Sequence, residues 1–311
     1  MIKKIGTALL AMTLPLAAGS FLLVASGLWP STSAFHAQLS GEAVSAAVSG
    51  SPSGSDSAPP GIAPGCYPLQ VFAVRGSGEH FEYGTTVGSF VARLKQLVPA
   101  MHATYVDYPA IDVPIGQFIR LVTGNAFTVV DAAEQLIAYH RDYQASVEAG
   151  EAELLAKFNA YNRHCNNYPV VFAGYSQGAD VTTWAFNILT PQYRIIMANF
   201  GDPHFNPYET TVNQGTYYQL NPAYTDIDEG SYNPALQAIL VHFWGDAPHH
   251  IQPGLGVVHS WCLHGDPVCN YDVSNVLGCA TSACPHYHYM DSYTAAAARW
   301  AYQEWRPSWE G

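Results

Sequence analysis

Positive charge is scarce in this chain, and the function classes that depend on it go with it. Lys and Arg total 12 against 24 Asp and Glu, a formal net charge of −12 over 311 residues. Gripping a nucleic-acid backbone, or adhering to anionic lipid through charge, needs the opposite balance, so neither partner is expected. Internal repeats and heptad patterns are also missing, which removes solenoids and coiled coils. Neither CxxC nor HExxH occurs, which weighs against zinc although His249, His250, His259, His264, His286 and His288 share the C-terminal half. Cysteine is absent before Cys66.

What is present describes an exported protein. The chain starts MIKK, carries no charge from Ile5 to Trp29, and exits through the small-residue stretch STSAFHA. Residues 1–34 therefore read as a signal peptide or an N-terminal membrane anchor. The uncharged run 5–29 is long enough to span a bilayer, which makes it a candidate membrane tether, although Pro15, Gly19 and Gly27 weaken it as a permanent helix. Residues 35–65 follow, rich in Ser, Gly, Pro and Ala, with too few large apolar side chains to fold, and are expected to be a flexible linker. The folded domain is expected over 66–311, as a monomer, secreted or held at the cell surface. It holds all six cysteines, an even count that suggests three disulfides. Spacing favours the local pairs Cys262–Cys269 and Cys279–Cys284, leaving Cys66–Cys165.

Periodicity divides this domain into alternating elements. Strands are predicted at 69–74, 103–108, 169–173, 194–200, 236–244 and 257–261. Helices are predicted at 87–98, 126–161 with a break around Gly150, about 177–189, and 292–305. Strands and helices in alternation imply an α/β fold: a mostly parallel central sheet with helices on both faces, and a site beyond the carboxyl ends of the strands.

One junction in that pattern carries chemistry. Gly174-Tyr175-Ser176-Gln177-Gly178 has the form GxSxG between a predicted strand and a predicted helix. Such a turn forces the serine into strained backbone angles and exposes its hydroxyl at the positive end of a helix. The plainer alternative is a serine that only caps the helix. A serine nucleophile needs a base and an acid to orient the base, in the chain order Ser, Asp, His for this elbow. Asp202, Asp246 and Asp266 all stand downstream at loop-like positions, and spacing does not choose among them. Asp180 lies one helical turn past the serine, where interaction with the helix N-terminus is its expected role.

Four ordered motifs carry a family resemblance. GYSQGA around Ser176, the stretch from Cys262 to Cys269 (CLHGDPVC), the stretch from Pro285 to Tyr289 (PHYHY) and the stretch from Ala73 to Glu79 (AVRGSGE) resemble motifs of the cutinase family, secreted serine esterases of the α/β-hydrolase class. The resemblance also matches Cys165 to the family's upstream cysteine. It implies a three-layer α/β-hydrolase fold with Ser176 as nucleophile, Asp266 as acid and His286 as base. Ser77 and the backbone N–H of Gln177 would form the oxyanion hole. His288 is the rival base, but the family's HxxY spacing is met by His286 and Tyr289.

The implied activity is hydrolysis of carboxylic esters, such as short or medium acyl esters, lipids or polyesters, through an acyl-enzyme and without a cofactor. A phospholipase, a thioesterase or an acetylated-polysaccharide esterase would use the same triad. A non-catalytic envelope-binding protein is the alternative of another class. The chain departs from the family in an insertion between Asp202 and Val257 and in CATSAC between acid and base. The insertion is read equally as a lid and as a surface excursion.

Overall fold

The structure is a computed structural model that describes residues 62–203, 205, 255–263, 265–269, 279, 284–290 and 292–309. Five strands, β1 (Gln70–Val74), β2 (His102–Tyr105), β3 (Val170–Tyr175), β4 (Ile195–Phe200) and β5 (Val257–Trp261), form one sheet in the order β2-β1-β3-β4-β5. Every neighbouring pair is parallel. Among the described residues the helices are α1 (Thr85–Leu97), α2 (Ile115–Thr123), α3 (Ala126–Cys165), α4 (Gln177–Leu189) and α5 (Ser292–Trp309), with a 3-10 turn at Pro285–Tyr287. The expected strand at 236–244 and the insertion before Val257 lie outside the described residues, apart from their flanks.

Burial on both faces explains why β1, β3 and β4 are mostly apolar along their length rather than alternating, with Gln70 and Asn199 as the buried polar exceptions. Side chains of one strand still alternate between two cores. Phe72 and Val74 of β1 pack with Tyr143, Leu154 and Phe158 of α3 and Val181 and Phe186 of α4. Val71 and Ala73 pack with Val87, Phe90 and Leu94 of α1 and Ala297, Ala301 and Trp305 of α5. The result is three layers, helix pair on sheet on helix pair.

The strand order also locates a crevice. From β1 the chain crosses outward to β2, then returns to the other side of β1 for β3 and continues outward through β4 and β5. The loops leaving β1 and β3 therefore diverge from neighbouring strands, which is where an open α/β sheet forms its cleft. Ser77 lies on the first of these loops and Ser176 on the second.

Two elements differ from expectation. α2 was not anticipated: nine residues with Gly116 inside give a weak helical signal, and its packing against α3 supplies what propensity does not. α3 runs unbroken for 40 residues through Gly150. Gly150 serves close packing, since a Cβ there would sit 2.7 Å from Val181 Cγ2 and 3.0 Å from Tyr108 Cδ2. Cys66 and Cys165 are bonded, tying the start of the domain to the end of α3 across a separation of 99 residues. Cys262–Cys269 and Cys279–Cys284 are bonded as well. Among the described residues no helix is long and apolar enough to cross a membrane.

Two stability measurements follow from this packing. Alanine normally favours a helix interior over glycine by about 1 kcal/mol, but Gly150→Ala is expected to destabilise by about 1–3 kcal/mol in urea unfolding because α3 cannot back away from α4. His259 stacks on Trp261 at 3.9 Å between centroids and meets Trp300 edge-on, and burial pushes its imidazole down to about 3. The unfolded chain then takes up the proton first, so stability falls as pH drops from about 6.5 toward 3. His259→Phe is expected to remove roughly 1–2 kcal/mol of that acid-side loss when unfolding at pH 7 and pH 4.5 is compared.

Candidate active site

The nucleophile candidate sits in a turn that few residue types tolerate. Ser176 takes φ 53 and ψ −122 between β3 and α4 and is only 4% exposed. Its backbone N–H donates to the Phe200 carbonyl at 2.9 Å, which extends the β3–β4 ladder to the turn. The two flanking glycines are required by approach. A Cβ at Gly174 would lie 2.4 Å from the Gly178 carbonyl oxygen, and one at Gly178 would lie 2.3 Å from the Val74 carbonyl oxygen. Gln177 opens α4, where the first N–H groups have no intrahelical acceptor and the helix dipole favours negative charge.

A carboxylate and an imidazole meet across the carboxyl edge of the sheet. His286 Nδ1 lies 2.8 Å from Asp266 Oδ2 and 3.0 Å from Oδ1. Asp266 is wholly buried, and its remaining lone pairs are filled by the Val268 N–H on Oδ1 at 2.8 Å and the Tyr289 hydroxyl on Oδ2 at 2.6 Å. A buried carboxylate without such donors would cost several kcal/mol. The Cys262–Cys269 bond closes the loop that presents Asp266.

Tyr175, the neighbour of the serine, carries the contact between the elbow and this pair. Its ring stacks on the His286 ring at 4.9 Å and its hydroxyl donates to the His286 carbonyl at 2.7 Å. Among the described residues no hydrogen bond joins Ser176 Oγ to His286, a bond that often tightens only when substrate binds. Gly201 lets the imidazole lie against the end of β4: with φ +57, a Cβ there would be 2.8 Å from His286 Cε1.

The loop after β1 is clamped from several sides. Glu79 Oε2 accepts the Gly76 N–H at 2.7 Å, and its Oε1 accepts the Thr85 N–H at 2.7 Å and hydroxyl at 2.6 Å. Arg75 donates to the Glu79, Val106 and Tyr108 carbonyls, and the Gly78 N–H donates to the carbonyl of Ala110, itself at φ 48. Within this frame the Ser77 hydroxyl is shielded from solvent and lies against the Tyr139 hydroxyl.

The other sequence candidates fall elsewhere. Asp202 is buried and accepts from Asn199 Nδ2 at 3.2 Å and Thr183 Oγ1 at 3.1 Å, and among the described residues it makes no hydrogen bond to the imidazole. Asp180 is buried in the first turn of α4 and accepts from the Tyr143 hydroxyl. His288 is exposed, and His259 belongs to the aromatic stack. Asp246, His249, His250 and His264 lie outside the described residues. Among the described residues no cluster of His, Cys, Asp or Glu is arranged to hold a metal ion. Sequence reasoning passed over Tyr289 as a partner of the acid, Glu79 as the loop clamp and Gly201. Tyr289 and Glu79 stood inside motifs already singled out, whereas Gly201 had no local signal.

The family model described as Cutinase matches residues 65–305. No curated protein matches the chain. Among solved structures, the catalytic core domain of acetyl xylan esterase from Trichoderma reesei is similar at 18% identity, covering 77% of this chain and 98% of that one, with a TM-score of 0.44. A cutinase-like protein from Cryptococcus sp. is similar at 14% identity, with 78% and 95% covered and a TM-score of 0.44. Trichoderma reesei cutinase in complex with a phosphonate inhibitor is similar at 16% identity, with 78% and 77% covered and a TM-score of 0.43.

Gly201→Ala tests the imidazole's seat. The variant is expected to lose the downfield Nδ1–H proton resonance of the Asp266–His286 hydrogen bond in NMR and to cost roughly 1–3 kcal/mol of stability from positive φ and crowding. Retention of that resonance at full stability would contradict the seat described.

Proposed function

Because the chain belongs to the cutinase family, we propose that it is a serine esterase in which Ser176 attacks the carbonyl of a carboxylic ester. The observation that carries this reading is the buried Asp266–His286 hydrogen bond, set beside a serine held in strained backbone at the sheet's switch point. In the proposed reaction His286 takes the Ser176 proton as the oxygen attacks, then gives it to the departing alcohol. Water attacks the acyl-enzyme with His286 again acting as base, and the acid product leaves. Asp266 keeps the Nδ1 proton in place and stabilises the imidazolium, which leaves Nε2 to serve the serine.

Negative charge that develops on the carbonyl oxygen would fall to the Ser77 hydroxyl and the Gln177 backbone N–H. The place of Ser77 on the loop leaving β1, across the switch point from the N-terminus of α4, supports this role. The strain kept at Ser176 weighs against a merely binding scaffold. Three disulfides suit an oxidising compartment, and with the leader they support an exported or surface-held enzyme, tethered through residues 5–29 if the leader is retained.

The test is a fluorophosphonate probe and a ladder of p-nitrophenyl esters applied to the full chain, Ser176→Ala and His286→Ala. The parent protein is expected to label and turn over, Ser176→Ala not to label at all, and both variants to lose at least about 10³-fold in kcat/KM. Ester turnover undiminished in Ser176→Ala would refute the reading.

A further inference from the structure

Tyr289 does more than fill space. It is wholly buried, three residues past His286, and its hydroxyl makes two directed contacts: it donates to Asp266 Oδ2 at 2.6 Å and accepts the Leu263 N–H at 2.9 Å. Cys269 Sγ, part of the disulfide that closes the acid loop, lies 3.5 Å from the same oxygen. One atom of the segment that carries the base thus holds both the acid and the backbone leading to it. His286 Nδ1 sits within reach of both carboxylate oxygens, at 2.8 and 3.0 Å, so the imidazole alone does not fix the carboxylate's plane. The donors at opposite ends of the carboxylate do. Val268 N–H belongs to the acid's own loop, and among the described residues the Tyr289 hydroxyl adds to the imidazole itself a second tie between that carboxylate and the segment carrying the base.

We propose that Tyr289 is a positioning residue of the candidate triad, its hydroxyl clamping Asp266 so that the carboxylate faces the His286 ring. The proposal rests on the triad reading given above. The hydroxyl also draws on the carboxylate's charge, so it sets how strongly Asp266 favours an imidazolium over an imidazole. Burial, and then the charge of Asp266, push the Tyr289 hydroxyl well above its ordinary range, so it remains a donor at every working pH. Among the described residues, the other titratable groups that face the pair are Tyr175 from β3, Tyr287 from the 3-10 turn and Tyr293 from α5, with Glu79 behind Tyr175. Burial raises Tyr175 and Tyr287 as well, which leaves them neutral in the range tested.

Tyr289→Phe removes the donor and keeps the ring. In the full chain it is expected to lower kcat about tenfold with KM within about twofold, and to move the acid limb of the kcat/KM profile up by about half a pH unit. Replacing Tyr289 by 2,3-difluorotyrosine through amber suppression keeps ring and hydroxyl but makes a stronger donor, and is expected to move the same limb down. A merely structural role would shift neither limb, and the opposite signs do not require Tyr289→Phe to fold well. With Ser176→Ala and His286→Ala inactive, unchanged limbs in both Tyr289 variants overturn this proposal alone. With Ser176→Ala as active as the parent protein, the triad reading falls and the proposal falls with it.

Discussion

The backbone of Ser176 is held at a conformation that costs an isolated non-glycine residue about 1–3 kcal/mol, and the carboxyl edge of the sheet is arranged around that cost. The β3–β4 ladder carries the Ser176 N–H to the Phe200 carbonyl, and α4 starts at the very next residue, so neither side of the turn has freedom to relax. Gly174 and Gly178 let strand, helix and the end of β1 approach to distances that any side chain would forbid. The same turn throws Tyr175 sideways onto the His286 ring. Gly76 is kept bare beneath the Tyr175 ring, since a Cβ there would lie 2.6 Å from Tyr175 Cδ1. Strain at one residue is thereby converted into placement of three loops.

Charge at this edge is managed by the same economy. Asp266 is removed from water entirely, which is tolerable because its oxygens accept from a backbone N–H, a tyrosine hydroxyl and the imidazole. The low polarity that makes each lost donor costly also makes each retained one strong. Rigidity comes from covalent closure at Cys262–Cys269 and from aromatic packing of Tyr289 against Tyr175, Phe200 and His286. A carboxylate held in this way can orient an imidazole without having to reorganise during a reaction.

The loop after β1 follows a different plan, with its backbone clamped by the side chains of Arg75 and Glu79. Arg75, Glu79 and the Ala110 carbonyl hold Gly76, Gly78 and the residue between them.

The amino-acid sequence by itself determined what depends on near neighbours. Apolar runs of strand length, helical spacing from Val87 and Gln177, and glycines around Ser176 specify the parallel α/β layers and the elbow, because backbone angles and side-chain period are set within a few residues. Spacing separated the local cysteine pairs for a similar reason: short loops close easily. It did not choose among Asp202, Asp246 and Asp266, since which acid faces an imidazole 20 residues away depends on where two loops meet in space. Gly150 was misread as a break because a glycine that ends a helix and a glycine that admits a neighbouring helix look alike until Val181 and Tyr108 are seen against it. The seat of His286 on Gly201, the Glu79 clamp and the hold of Tyr289 on Asp266 came only from the tertiary structure. Each joins elements whose approach is decided by the packing of the whole sheet, and no stretch of chain carries that information alone.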